Sequence, residues 1–347
     1  MGVYLRDELA GLGFDVYVTS RRLLNDYGNV RFLHGDAHRD ADLDRFLSVA
    51  RPDVIFDFML YSTDEFSARC SRLVNSVGQY VFVSSYRVFA DSEVLTECSP
   101  RLLDVSGDEE FLASNEYSLS KARQEDVLRC GIGKNWTIVR PSITYSKTRF
   151  QLGCLEADVV LFRAFKGRPV PLPTEMLSRQ TTMTWAGDVA KMMARLALNP
   201  KAMAEDFNVV TSEHHSWREI AEIYDDAIGL CVKECSLSEY LTFCAKYQTI
   251  YDRMFNRVMD NQKVLSVTGM SQGDLSAVSD SLSRELVQFK KCPVWGYVDP
   301  VRNARIDRVV GGLTNMGVVR SELAYLSSRY DSVGRLEKIV RKVMRKV

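Results

Sequence analysis

The chain lacks an excess of charge of either sign: forty-five Lys and Arg balance forty-five Asp and Glu over 347 residues. That balance argues against nucleic acid as the main partner, because neutralising phosphates takes a basic surplus. Runs of roughly eighteen apolar residues are also absent, so no spanning helix is expected. The opening residues, Met1-Gly2-Val3-Tyr4-Leu5-Arg6-Asp7-Glu8, carry acids where a secretion signal would be apolar. A cytoplasmic protein is the expectation. Histidine is scarce, with four in all (34, 38, 214 and 215), and none of the eight cysteines forms a CxxC pair. Cys231 and Cys235 stand four apart, but a closed zinc site needs four ligands and no histidine is near them in sequence. Reduced, buried thiols and no metal follow. Repeats and low-complexity tracts are missing too. A composition of 46% hydrophobic and 26% charged residues excludes disorder, collagen and coiled coil.

What is present is an alternation. Short apolar runs at 15–20, 30–34, 54–58, 80–84, 136–140 and 207–210 predict strands. Helical patterns at 4–12, 41–50, 64–77, 117–129 and 186–198 stand between them. This order predicts βαβ units and a parallel sheet with helices on both faces, hence strands that are apolar throughout. Ser216 with Glu219 forms a capping box ahead of a helix. Further helices are expected over 237–258, 280–289 and much of the last fifty residues, after a connector from Lys291 to Pro300. The length suggests about two domains.

The chemistry is concentrated in Tyr117-Ser118-Leu119-Ser120-Lys121. Residues four apart share a helix face, so an ammonium would stand one turn from a phenol and bring its pKa down from about 10. Upstream, Tyr80-Val81-Phe82-Val83 is an apolar strand ending in Ser84-Ser85, where a hydroxyl points into the crevice at a parallel strand's carboxyl end. Downstream are Thr137-Ile138-Val139-Arg140-Pro141, with Tyr145 beyond, and Thr184-Trp185 before Asp188-Val189-Ala190.

In this order, these motifs resemble the NAD-dependent epimerase/dehydratase family, the extended or atypical short-chain dehydrogenase/reductases. Gly35-Asp36 after a strand and Asp260-Asn261-Gln262-Lys263 with Gly269 are similar to further family elements. The likeness spans about residues 2–290. It implies a Rossmann-type doubly wound α/β sheet over 1–150, which also receives 180–212. It implies a smaller, mainly substrate-binding lobe over 151–290, and leaves a helical C-terminal extension at 291–347. By the same resemblance Tyr117 is the general acid/base, Lys121 tunes it and binds the nicotinamide ribose, and Ser85 holds the reacting oxygen. Ser84 is its neighbour and could exchange roles with it. Pro141 and Tyr145 would line the pocket, Asp36 would meet the adenine, and Arg179 would lie near the substrate pyrophosphate. The implied substrate is a nucleotide-linked sugar and the cofactor NAD or NADP. Arg21 and Arg22 after the strand at 15–20 suit a 2′-phosphate and favour NADP. A homodimer is compatible with the family.

The chain departs from the family at its start. Gly2 resembles the last glycine of the phosphate-binding turn; the strand and the glycines that should precede it are absent from this sequence. In a doubly wound sheet that strand is central, and its loss predicts unpaired edges and a hole in the core. The sequence could begin downstream of that strand, which is the favoured reading, or the protein could be built without it. In the latter case a catalytically degenerate relative, binding a nucleotide or a protein, is the alternative to the enzyme. Asp57 is an acid where the family has small or amide residues. Finally, 333–347 is amphipathic and basic. Such a segment could contact an anionic membrane or dock its apolar face on protein.

Overall fold

The alternation read from the sequence becomes a layered α/β arrangement in the computed structural model, which describes residues 1–131 and 133–330. The chain divides into two units. The first comprises Met1–Thr144, Thr182–His214 and Arg257–Ser276; the second comprises Tyr145–Thr181, His215–Asn256 and the chain from Ala277 onward.

The first unit runs α1 (Gly2–Gly11), β1 (Val16–Ser20), β2 (Val30–His34), α2 (Asp40–Ala50), β3 (Val54–Asp57), α3 (Thr63–Asn75), β4 (Gln79–Val83), α4 (Tyr117–Cys130), β5 (Trp136–Arg140), α5 (Ala186–Leu196) and β6 (Glu205–Asn208). Strands β3 to β6 form one parallel sheet in the order β6-β5-β4-β3. Mostly apolar, β4 and β5 take the covered central positions, where every residue is buried, Gln79, Thr137 and Arg140 included. Ser62 and Glu65 start α3 with a reciprocal capping box. Leu5 and Leu9 of α1 share a core cluster with Val189, Met192, Met193 and Leu196 of α5. This is the expected Rossmann-type arrangement.

It is interrupted where the sequence departs from the pattern. β1 and β2 form a separate parallel pair, in register from Val16–Val30 to Ser20–His34. No ladder joins this pair to the four-stranded sheet among the described residues. Both pieces still contribute to one cluster under α1 and α5, through Val16 and Val30 on one side and Val81, Val83 and Val139 on the other. The predicted unpaired edges are therefore present.

In the second unit the Ser216–Glu219 capping box starts the helix Trp217–Ile228. The long helix expected over 237–258 does not form. Short helices at Leu237–Tyr240 and Lys246–Gln248 lead into a single wide turn, Thr249–Arg253. The cause is a shared target. The Tyr240 hydroxyl accepts from the Cys154 amide at 2.8 Å, while Arg253 Nε donates to the Gly153 carbonyl at 2.8 Å. At about 100° per residue, a continuous helix would aim these two side chains in nearly opposite directions.

After the irregular segment 292–299, Pro300 occupies the first turn of the helix Pro300–Val310, capped by Asp299. Val319–Arg329 packs beside that helix. The fully buried pair Arg163–Asp307, at 2.7 Å, ties this extension to the helix Ala157–Phe165, and the Tyr325 hydroxyl donates to the same carboxylate at 2.6 Å. The basic segment 333–347 lies outside the described residues. The expectation of buried thiols needs correction: Cys70, Cys154, Cys235 and Cys244 are buried, but Cys98, Cys130, Cys231 and Cys292 are exposed.

Candidate active site at the carboxyl end of β4

The carboxyl end of β4 and the first turns of α4 meet. Lys121 is buried, and its Nζ donates to the Val83 carbonyl, the last of β4, at 2.8 Å. Its ammonium also lies 4.5 Å from the centre of the Phe82 ring. Tyr117, one turn earlier, opens α4 and is 37% exposed. Arg87, two residues past Ser85, lies over the Tyr117 ring at 5.3 Å and pairs with Glu116, the residue that caps α4. The segment 83–87 therefore holds both residues of the Tyr-Lys pair.

The two serines have different surroundings. Ser84 donates its hydroxyl to Glu125 Oε1 at 2.6 Å, deep in the unit. Ser85 caps the short turn Tyr86–Val88, its Oγ accepting from the Arg87 amide at 3.3 Å. Because an alcohol both donates and accepts, the Ser85 proton is not committed by this bond.

Burial is the main influence on the Lys121 pKa. It pushes the ammonium down to about 8, against the opposing pull of the Asp57 and Glu125 carboxylates. Burial acts on Asp57 as well and raises its pKa, although the Tyr80 hydroxyl at 2.6 Å, the Met59 amide at 2.8 Å and the Tyr61 hydroxyl at 3.2 Å all donate to it. Burial also disfavours charge on Glu125. Arg140 more than compensates, with Nε and Nη2 each 2.8 Å from the carboxylate, and the Glu125 pKa is lowered. Arg140 reaches Asp206 at 2.7 Å as well.

Sequence reasoning passed over this network. One signal was available: Glu125 lies four residues after Lys121, so the face carrying the Tyr-Lys pair continues into an acid. The role of Asp57 depends on Tyr80 of the neighbouring strand, which no local pattern announces.

The remaining predicted residues are spread more widely. Within the first unit, Gly2 is the first residue of α1, whose N-cap Met1 supplies no side-chain cap. A Cβ on Gly2 would meet nothing within 4 Å, so no close approach requires glycine there. Arg21 and Arg22 are exposed just past β1. Gly35 has φ +153°, and a Cβ on it would come within 2.8 Å of the Phe46 ring. The turn it permits sets Asp36, whose Oδ1 accepts from the His38 amide at 3.1 Å. Pro141 follows β5, and its carbonyl accepts from the Tyr86 amide at 3.2 Å. In the second unit, Tyr145 is wholly buried with its hydroxyl 2.5 Å from Ser281 Oγ. Arg179 carries a buried Nε without a hydrogen-bond partner among the described residues.

Comparison with family models finds no match, and none is found among curated proteins. Solved structures do match. UDP-glucose 4-epimerase of Thermus thermophilus, in complex with NAD, superposes with a TM-score of 0.62 at 18% identity, covering 84% of this chain and 96% of that one. The dTDP-glucose 4,6-dehydratase of Bacillus anthracis, also with NAD, gives 0.66 at 14% identity over 85% and 94%. UDP-glucose 4-epimerase of Bifidobacterium longum, with NAD+ and UDP, gives 0.60 at 17% over 84% and 95%. The chain thus shares the fold of NAD-dependent epimerases and dehydratases.

Proposed function

We propose that the chain is an NAD(P)-linked oxidoreductase of the epimerase/dehydratase kind acting on a nucleotide-linked sugar. The observation that carries this reading is the placement of Lys121 against the Val83 carbonyl, one helical turn from an accessible Tyr117 and beside the strand end that bears Ser85. The structural neighbours crystallised with NAD, UDP-glucose or UDP supply the substrate and cofactor classes.

The residues fit a dinucleotide at its reacting end. Lys121 has three donors and spends one on Val83, leaving two for a ribose hydroxyl and the phenol. The pyrophosphate would meet the start of α1, which no side chain caps. Arg21 and Arg22 support a preference for NADP. Nicotinamide, when bound, supplies hydride acceptance and return. Tyr117 takes the proton from a sugar hydroxyl and later gives it back, with the Lys121 charge stabilising the phenolate as the proton leaves. Ser85 orients the reacting oxygen.

Tyr117→Phe tests the mechanism, since it removes one hydroxyl from an exposed position. With UDP-glucose and dTDP-glucose as substrates, turnover should fall about 10²- to 10⁴-fold, with NADPH affinity and melting temperature unchanged. Unaltered turnover would reject Tyr117 as the acid/base. A second reading, a non-catalytic nucleotide-binding module, draws on the divided sheet. Wild-type protein that binds UDP but neither NADPH nor NADH in a fluorescence titration would select it.

A further inference from the structure

We propose that Asp57 is a positioning residue for the Tyr117–Lys121 pair: its buried carboxylate supplies, from the neighbouring strand, the countercharge for the Lys121 ammonium. The catalytic meaning of this role rests on the proposed function, whereas the charge coupling itself needs no reaction.

Three placements bring the two groups to one face of the sheet. Asp57 is paired in register with Phe82 across β3 and β4, and the Phe82 ring lies 4.5 Å from Lys121 Nζ. Ile55, two residues before Asp57 and so on the same face, packs in one cluster with Tyr80 and Phe82 of β4, Leu73 of α3 and Leu128 of α4. The Tyr80 hydroxyl, also on that face, donates to Asp57 Oδ2 at 2.6 Å and fixes the carboxylate there.

The contacts of Asp57 select its charged form. Oδ1 accepts from the Met59 amide at 2.8 Å, and Oδ2 accepts from the Tyr61 hydroxyl at 3.2 Å as well as from Tyr80. Donors on both oxygens favour a carboxylate. All three donors are neutral, and among the described residues no cation lies within ion-pair distance of Asp57. Glu125, the other acid near Lys121, is surrounded differently. Arg140 grips it with two nitrogens, and Arg129 and Arg101 stand at 3.4 and 3.7 Å. Its charge is largely cancelled by these guanidiniums, while that of Asp57 is not. Burial leaves little water to screen Asp57, so its field reaches the ammonium beyond contact distance. Without it, Lys121 would lose its proton at lower pH, and Tyr117 would lose the charge that stabilises its phenolate.

The other groups around the pair are accounted for. Tyr117 and Glu125 flank Lys121 on α4, and Arg87 over the Tyr117 ring is paired with Glu116. Around Asp57, burial pushes the Cys70 thiol up to about 11 and raises the Tyr61 and Tyr80 phenols above their ordinary range, so all three stay neutral near pH 8. Arg69 of α3 lies 5.9 Å from the Tyr61 ring.

Melting temperature against pH tests the coupling with the full chain. Lys121→Met is made in wild type, in Asp57→Asn and in Asp57→Ser; the two Asp57 variants remove the charge and keep a polar side chain for the tyrosine hydroxyls. In wild type the Met variant should melt higher at pH 7, with the gap closing above about pH 8. In both Asp57 backgrounds the gap at pH 7 should be larger and begin to close about one pH unit lower, because the ammonium has lost its countercharge. Tyr61→Phe, which keeps the carboxylate, should lower the melting temperature and leave the closing pH in place. An unchanged gap in the Asp57 backgrounds would overturn the proposal, as would an equal shift in Tyr61→Phe. So would Asp57 variants that fail to fold and are not rescued by Lys121→Met. With UDP-glucose or dTDP-glucose as substrate, the alkaline limb of the rate profile should move down by the same unit in Asp57→Asn, and an unmoved limb would overturn the role. A wild type without turnover would reject the catalytic reading instead and leave the melting cycle to decide the coupling.

Discussion

The two pieces of the sheet are made of similar residues and are buried very differently. β4 and β5 read Gln-Tyr-Val-Phe-Val and Trp-Thr-Ile-Val-Arg, and every one of those residues is buried. β1 and β2 read Val-Tyr-Val-Thr-Ser and Val-Arg-Phe-Leu-His, and each buries only its first residue. β3 is intermediate, with Val54, Ile55 and Phe56 half-buried although all three are apolar. The difference lies in the neighbours. A parallel strand is shielded when it has a strand on each side and helices on both faces. β4 has β3 and β5 beside it, while among the described residues β1 has only β2. The groups that would do the chemistry, Ser85, Tyr117 and Lys121, stand on the complete piece. Arg21, Arg22 and Asp36, which would grip the far end of a dinucleotide, stand at or beyond the ends of the open pair. The end proposed for the chemistry is thus set by a packed core, and the end proposed to hold the cofactor rests on half-buried strands.

The sharpest way to break this contrast is Glu125→Ala. It strips Arg140 of its bidentate partner inside the complete piece and leaves Ser84 without its acceptor. Removing one member of a buried pair costs about 3–5 kcal/mol. Urea denaturation should show a loss of that size. A loss below about 1 kcal/mol would mean that the region around β5 is far more open to water than its burial indicates.

A subtler probe is Lys121→Met. Burial depresses the folded-state pKa of Lys121 to about 8 from the ordinary 10.5. A depressed ammonium binds its proton more weakly folded than unfolded, so it opposes folding wherever it is charged in the unfolded chain. That penalty is present in full below about pH 8 and fades as pH rises to 10.5. The Met variant should therefore melt higher than wild type at pH 7, and the gap should close towards pH 10.5 while turnover is lost throughout. A pH-independent gap would show that the ammonium is solvated.

How much of this was legible depends on whether the partners of a residue are local. The mostly apolar runs of β4 and β5, the helix that carries Tyr117 and Lys121 and the Ser216–Glu219 box are patterns within a few residues, and these elements formed. Arg140 and Glu125 come from different elements, and Asp57 meets Tyr80 across a strand pair, so neither contact has a sequence period. The stretch 237–258 looked helical because helix propensity is local, whereas the need for Tyr240 and Arg253 to reach the same hairpin is not.

The smallest expected effect is also the most direct measure of the contrast. Val81 of β4 and Val18 of β1 contribute to the same cluster under α1 and α5, the first fully buried and the second partly. Removing two methyl groups from a fully buried site loses both transfer energy and packing contacts, about 2–3 kcal/mol for Val81→Ala. Val18 already meets solvent, and the structure around it has room to collapse, so Val18→Ala should cost under about 1 kcal/mol. Both substitutions also trade a β-branched residue for alanine in a strand, and that shared penalty cancels in the difference. Chemical denaturation of the two variants under one set of conditions gives the ratio. A Val18→Ala loss equal to that of Val81→Ala would show that β1 has a full complement of neighbours in solution, and that the open edge is filled by chain or partner.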